Sequence, residues 1–421
     1  MKKSKWGNFK RYYTLDTYLK HKFNSKVAKI SLNAGFTCPN IDGKVGYGGC
    51  IYCSNLGSGD FAGNSNDDLP TQFHNIKIKI DKKWPNSKYI GYFQAHTNTY
   101  APLNVLKEKY ETILKEENVV GLAIATRPDS LDDNVINYLE ELSQKTYIQV
   151  ELGLQTIHDK TSIFINRCHT LSCFNDAVMR LREKKINVIV HIINGLPYET
   201  KDMMIETAKY LNNLDIQGIK IHMLNILKNT KLAKIYEQKP FHILTKEEYI
   251  DIVCDQLEYL RDDIVIHRIT ADPNIDDLIE PTWIEKKLCI LNDIDKELDR
   301  RNTYQGFNLD KNNLIKKIIS PILKENSYVL DDTNNYTNLL KEYIKTEYIV
   351  ANKEKYEGKI TCIITTENTK DVIDYYLNLL HNRGFILIIT DKYLSIYNDY
   401  NSTKYYFKKE LSIVKIDKKI D

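Results

Sequence analysis

Residues 27–53 read VAKISLNAGFTCPNIDGKVGYGGCIYC, an apolar run from Val27 to Leu32 followed by a loop with three thiols and four glycines between Cys38 and Cys53. A structural zinc site closes with four ligands, commonly as two knuckle pairs. Here Cys50 and Cys53 form one Cys-x-x-Cys pair, Cys38 lies across an eleven-residue spacer, and no further Cys or His occurs before His74. Three thiolates suit a [4Fe-4S] cube in which one iron is left without a protein ligand, and that open iron is the functional position. Gly43, Gly46, Gly48 and Gly49 let the spacer take left-handed backbone and wrap closely around such a group. They also let N–H groups approach its sulfurs.

Outward from this loop, short apolar runs alternate with amphipathic stretches as far as about Leu298. The runs VAKISL (27–32), YIGYF (89–93), VVGLAIA (119–125), YIQVELGL (147–154), VIVHII (188–193) and IKIHML (219–224) read as strands. Stretches of helical period lie between them: Leu131 to Leu142, with one apolar stripe, then Cys173 to Glu183 and Lys201 to Leu211. Strands apolar on both faces, joined by helices, predict a parallel sheet closed or partly closed into a six-unit βα barrel, with reactions at the C-terminal strand ends. Within residues 1–306 the expectation is an arm (1–26), the barrel (27–225) and a helical closure (226–306). A second, smaller α/β domain over 307–421 is predicted from the runs ILKENSYVLDD, EYIVAN, KITCIITT, DVIDYYLNLLH and GFILIIT.

The composition is that of a soluble globular protein, with 42% hydrophobic and 27% charged residues and a net charge of +3, too small by itself to imply a polyanion partner. The charge is uneven. Residues 1–30 carry nine Lys or Arg against Asp16, interleaved with Trp6, Phe9, Tyr12, Tyr13, Tyr18 and Phe23. That mixture suits either nucleic-acid contact or a solvated, basic lead-in to the first strand. No apolar signal region follows the basic start and no run approaches a membrane span, which points to a cytoplasmic protein. Eight cysteines without a signal peptide argue against a disulfide framework. Cys254, Cys289 and Cys362 read as buried structural thiols, and Cys168 and Cys173 as structural rather than a second metal site.

The stretch GFTCPNIDGKVGYGGCIYC, with YFQAHTNTYAP, ATRPDSL, VELGLQT, HIINGLPYET and KIHMLNILKNTKLA in order behind it, resembles the radical S-adenosylmethionine (SAM) superfamily. Within it, the chain resembles the YhcC/YtqA-type branch, related to the catalytic subunit of Elongator, from about Tyr12 to Gly306. The resemblance implies that Cys38, Cys50 and Cys53 hold the cluster, that SAM chelates its open iron, and that an electron passed into the sulfonium yields a 5′-deoxyadenosyl radical. It implies a reductant such as flavodoxin or ferredoxin. It places Tyr52 beside the adenine, Gln94, His96 and Thr97 at the methionyl amine, and Glu151 and Gln155 near the ribose and methionyl end. Arg127, Arg167 and Gly195 complete the ring. Each has a second reading: a strand-end Gln or Thr can cap a turn, and Glu151 can pair with a basic neighbour. His96, His191 and His222 are either acid/base groups for a substrate or buried structural histidines. One departure is Cys168 in NRCHT (166–170), where relatives usually carry Gly.

Residues 310–421 resemble the YtqB-type methyltransferases that act on a transfer RNA wobble uridine. Their glycine-rich turn is replaced here by DDTNNYT, so the domain reads as degenerate, a docking or stabilising unit. The function expected is a radical SAM enzyme that modifies RNA, with transfer RNA foremost. A radical SAM enzyme for a small metabolite or protein side chain, and a non-catalytic zinc and RNA-binding module, are the alternatives.

Overall fold

The six apolar runs are strands, and they lie side by side in one parallel sheet. In the computed structural model they are β1 (Val27–Leu32), β2 (Lys88–Phe93), β3 (Val119–Thr126), β4 (Tyr147–Gln155), β5 (Asn187–Asn194) and β6 (Gly218–Met223). Two short strands, β7 (Ile226–Leu227) and β9 (Leu278–Glu280), pair antiparallel outside it, and β8 (Val265–Arg268) joins it beside β6. The order β1-β2-β3-β4-β5-β6-β8 therefore has seven strands. The description covers residues 4–54, 57, 59, 61–310, 327–333, 336, 340–341, 359–366, 369–390, 400–407 and 411–418. The chain divides into two units, Met1–Gln305 and Gly306–Asp421.

In the first unit, α1 (Leu15–Phe23) precedes β1. The crossovers carry α2 (Leu69–Lys83), α3 (Leu103–Leu114), α4 (Asp133–Ser143), α5 (Asp159–Phe164), α6 (Leu171–Glu183) and α7 (Lys201–Leu211). Then follow α8 (Lys231–Gln238), α9 (Lys246–Tyr259) and α10 (Lys287–Arg300). Thr or Asp opens most of them, with the side-chain oxygen accepting from a first-turn N–H at Thr14, Asp68, Asp132, Thr170, Thr200, Thr230 and Thr245. Strand-to-helix turns are thus fixed by the residue that ends each loop.

The sheet is curled. Adjacent strands lie about 4.8 Å apart, so β1 and β4 would be separated by about 14 Å in a flat sheet. Instead Lys29 on β1 reaches Glu151 on β4 at 2.7 Å, and Lys220 on β6 reaches Tyr92 on β2 at 3.0 Å. These contacts cross the lumen of a half-barrel. The helical closure expected for 226–306 contains three strands that the sequence reading missed, the short pair β7 and β9 and, in the main sheet, β8. The run that forms β8 is brief. Its apolar core is only Ile264, Val265 and Ile266, flanked by acids and then by His267 and Arg268.

The basic N-terminal segment is docked against this unit. Lys5 pairs with Asp262 at 2.7 Å, Arg11 with Asp299 at 2.6 Å, Lys20 and Lys26 with Asp16, and Lys10 with Asp295. Trp6 donates to the Asp262 carbonyl, Tyr12 is buried, and the Ile266 N–H donates to the Tyr13 carbonyl. Leu19 of α1 is buried with Val27 and Tyr147 at the N-terminal ends of β1 and β4. Cys254 and Cys362 are buried as expected, but Cys289 is exposed. The α10 stripe of Ile290, Ile294 and Leu298 faces inward, and Cys289 lies one residue off it.

The second unit is a sheet of order β10-β11-β12-β14-β13. Strands β10 (Tyr328–Asp331), β11 (Ile360–Thr365) and β12 (Leu380–Thr390) run parallel, and the helix Lys370–Leu379 between the last two buries Ile373, Tyr376 and Leu379 on them. Strands β13 (Ser402–Phe407) and β14 (Leu411–Asp417), which the sequence reading did not anticipate, add an antiparallel hairpin. Asn334 and Asn335 of the DDTNNYT turn, and the run EYIVAN, lie outside the described residues. No helix among the described residues is long and apolar enough to cross a membrane.

Candidate functional site

The loop that carries the three thiols leaves the C-terminal end of β1, where a half-barrel gathers the ends of its strands. Its base is held by the buried Gln72 of α2, which accepts from the Asn33 N–H and donates to the Asn33 and Asp67 carbonyls. Its apex is held by Ile51. The Ile51 N–H donates to the Ile165 carbonyl at 3.1 Å, and its own carbonyl accepts from Leu232 N at 2.9 Å. The Ile51 side chain is buried with Ile165, Leu196, Leu224, Ile226 and Leu232. In CIYC the apolar residue thus clamps the chain while the two thiols on either side stay half-buried.

Cys50 receives hydrogen bonds from its neighbours. A hydrogen bond from the Cys53 thiol, with the Arg127 charge and donors on Tyr52 and Asn40, pulls its pKa down to about 6 against the cost of burial. The Asn40 amide stands 3.7 Å from its Sγ. The Cys53 thiol is pushed up, chiefly by its hydrogen bond to Cys50 and by burial, with Cys38 among the lesser neighbours. Among the described residues, no three Cys, His, Asp or Glu side chains converge where one metal ion could bind. Three thiols on one loop, with no fourth Cys or His in it, match the donor set of a cluster that leaves one iron without a protein ligand.

Around the loop, the strand-end turns are tied to it and to one another. Thr97 N donates to the Thr37 carbonyl and His96 N to the Gly57 carbonyl. Asn98 bridges to the Ala95 and Ala125 carbonyls, and Thr99 shares a 2.5 Å hydrogen bond with Thr126. Of the predicted residues, Tyr52 and Arg127 lie with the thiols, Arg127 in a bidentate pair with Asp129 at 2.6 and 2.9 Å. Gln94 and Thr97 stand on the β2 turn beside the loop. His96, left-handed at φ 59°, keeps a buried Nδ1 with no hydrogen-bond partner among the described residues. Gln155, also left-handed, folds back over Gly153, where a Cβ would come 2.4 Å from its Nε2.

Three predicted residues have polar groups engaged within the chain. Arg167, 1% exposed, gives its guanidinium to the Leu154, Thr156 and His169 carbonyls and so buckles the end of β4. Gly195 turns at φ 85° with its N–H on Met204 Sδ. Glu151 lies mid-strand in the lumen, its carboxylate accepting from Lys29, Gln149, His191 and Lys220. Burial opposes its charge, but Lys220 and Lys29 hold its carboxyl well below the usual range. His191, hydrogen-bonded to Glu151, is kept neutral by burial with its pKa near 4, and burial likewise holds the neighbouring His222 neutral. The signal for this network was Lys29 and Lys220 inside apolar strands, where a charge is tolerated only if paired. Asn40 and Asn166, which staple the loop, were missed for want of any periodic signal.

Residues 46–211 match the family model of the Radical SAM superfamily, and residues 216–300 that of the Radical_SAM C-terminal domain. The chain is 52% identical over 297 residues to protein YtqA of Bacillus subtilis (strain 168), covering 70% of this chain and 92% of that one. A shorter match, 28% over 141 residues, spans 33% of the chain and 26% of the tRNA uridine(34) acetyltransferase of Methanocaldococcus jannaschii. Among solved structures, the archaeal Elp3 of Methanocaldococcus infernus with an N-terminal deletion shares the fold, with a TM-score of 0.51 at 16% identity over 68% of each chain.

Proposed function

The chain belongs to the radical SAM superfamily, and we propose that Cys38, Cys50 and Cys53 hold a [4Fe-4S] cluster at which SAM is reductively cleaved to modify RNA, transfer RNA foremost. The observation that carries the reading is the three-thiol loop at the C-terminal mouth of the half-barrel, clamped through Ile51. When bound, the cluster supplies the electron that breaks the C5′–S bond of SAM and so yields a 5′-deoxyadenosyl radical. The chain's own part is to bind and orient. Tyr52 offers an aromatic face beside the thiols, Gln94, His96, Thr97 and Gln155 offer polar groups from the β2 and β4 ends, and Arg127 offers charge. In this reading Glu151, Arg167 and Gly195 shape the site rather than touch SAM, because their polar groups are already engaged.

Support for RNA comes from the likeness to a tRNA uridine(34) acetyltransferase. The N-terminal segment adds little, since many of its cations are paired within the chain. A flavodoxin- or ferredoxin-type donor would supply the electron. Comparing the modified nucleosides of transfer RNA from cells with and without the gene tests the substrate. Loss of one defined nucleoside is expected; identical profiles would remove the transfer RNA assignment and favour a small metabolite or a protein side chain.

A further inference from the structure

Asn40 lies two residues after Cys38 and is fully buried at 0% exposure. A buried amide is ordinarily satisfied at both ends. This one is satisfied at the nitrogen only: Nδ2 donates to the Asn166 carbonyl at 2.6 Å and to Cys50 Sγ at 3.7 Å, while Oδ1 has no hydrogen-bond partner among the described residues. Leaving a buried acceptor unpaired costs free energy. The reversed amide would be worse, because it would set an oxygen against both a carbonyl oxygen and a sulfur and leave no donor to either. The two N–H bonds therefore dictate the orientation.

The surroundings are shaped to this amide. A Cβ at Gly46 would come 2.3 Å from Asn40 Oδ1 and 2.8 Å from Cys168 Sγ, so a larger residue here would have to displace the amide. Asn166 returns the contact, its Nδ2 donating to the Gly49 carbonyl at 2.7 Å and the Tyr47 carbonyl at 3.2 Å. The two asparagines thus divide the work: Asn166 grips the spacer's backbone, and Asn40 presents an N–H to a sulfur.

We propose that Asn40 is a positioning residue that donates an N–H···S hydrogen bond to Cys50 and thereby sets the reduction potential of the cluster held there. The proposal rests on the reading under Proposed function. A donor on a ligand sulfur stabilises the reduced, more electron-rich cluster over the oxidised one, so its removal makes the midpoint potential more negative. Less SAM cleavage would then follow from a given reductant.

The experiment is an EPR-monitored redox titration of the full-length, anaerobically reconstituted protein without SAM. Asn40→Leu, which keeps the bulk but loses the donor without adding charge, and Asn40→Ala should both shift the midpoint to more negative potential. Asn166→Ala should lower the amount of retained cluster but leave the midpoint of what remains unchanged. Unchanged midpoints in both Asn40 variants would overturn the proposal. Should those variants lose the cluster altogether, pulsed EPR on wild-type protein carrying asparagine labelled with ¹⁵N only at the side-chain amide decides the matter. A ¹⁵N coupling to the reduced cluster is expected, and its absence would overturn the proposal. A wild-type protein that takes up no iron would instead defeat the functional reading beneath it.

Discussion

Glu151 shows how far a single residue departs from its motif. In ELGLQ it reads either as a cofactor contact or as a partner for a basic neighbour, and the structure places it at 1% exposure with Lys29 and Lys220 on its oxygens. Removing one partner of a buried charge network leaves the others uncompensated and costs about 3–5 kcal/mol. Glu151→Gln in the metal-free protein is therefore expected to lower the free energy of unfolding in urea at neutral pH by about that amount, although burial already draws the Lys220 amine down to about 7 and lets it shed part of its charge. A loss below about 1 kcal/mol would show that the network is not structural and return Glu151 to the ligand-contact reading.

Among elements, the cysteine loop depends on a residue that is not a ligand. Ile51 is 6% exposed, between two of the thiols, and its backbone joins the loop to the Ile165 and Leu232 turns. Ile51→Ala should cost about 2–5 kcal/mol, as core truncations do, and should also speed loss of iron to a chelator. Ile290→Ala in α10, equally buried but outside this cluster, should cost as much without changing that rate. Equal chelation rates in the two variants would contradict the clamp. The strands themselves were legible in sequence to within one or two residues, because a parallel strand buried on both faces is a plain apolar run. β8 was not, its three apolar residues being too few to stand out beside charged flanks. The β13–β14 hairpin, rich in Lys, Tyr and Ser, gave no clear alternation to read.

Across the whole molecule, the sequence disclosed the parts of the site that are local and hid those that the fold assembles. Three cysteines, their spacing and the strand before them lie within 27 residues and could be read directly. The bond between Asn40 and Asn166 spans a separation of 126 residues, and the lumen network joins β1, β4, β5 and β6; neither has a sequence pattern of its own. The ion pairs of the basic N-terminus were hidden for the same reason, since its acidic partners Asp262, Asp295 and Asp299 lie far along the chain. The central claim is that the half-barrel mouth holds a cluster able to cleave SAM, and the most direct test is to reconstitute the full chain anaerobically, reduce it with dithionite and add SAM. About four irons and four sulfides per chain and release of 5′-deoxyadenosine are expected, with both lost in Cys38→Ala, Cys50→Ala and Cys53→Ala and kept in Cys173→Ala. Stoichiometric zinc without 5′-deoxyadenosine, or full iron content and SAM cleavage in any of the three cluster-cysteine variants, would contradict it.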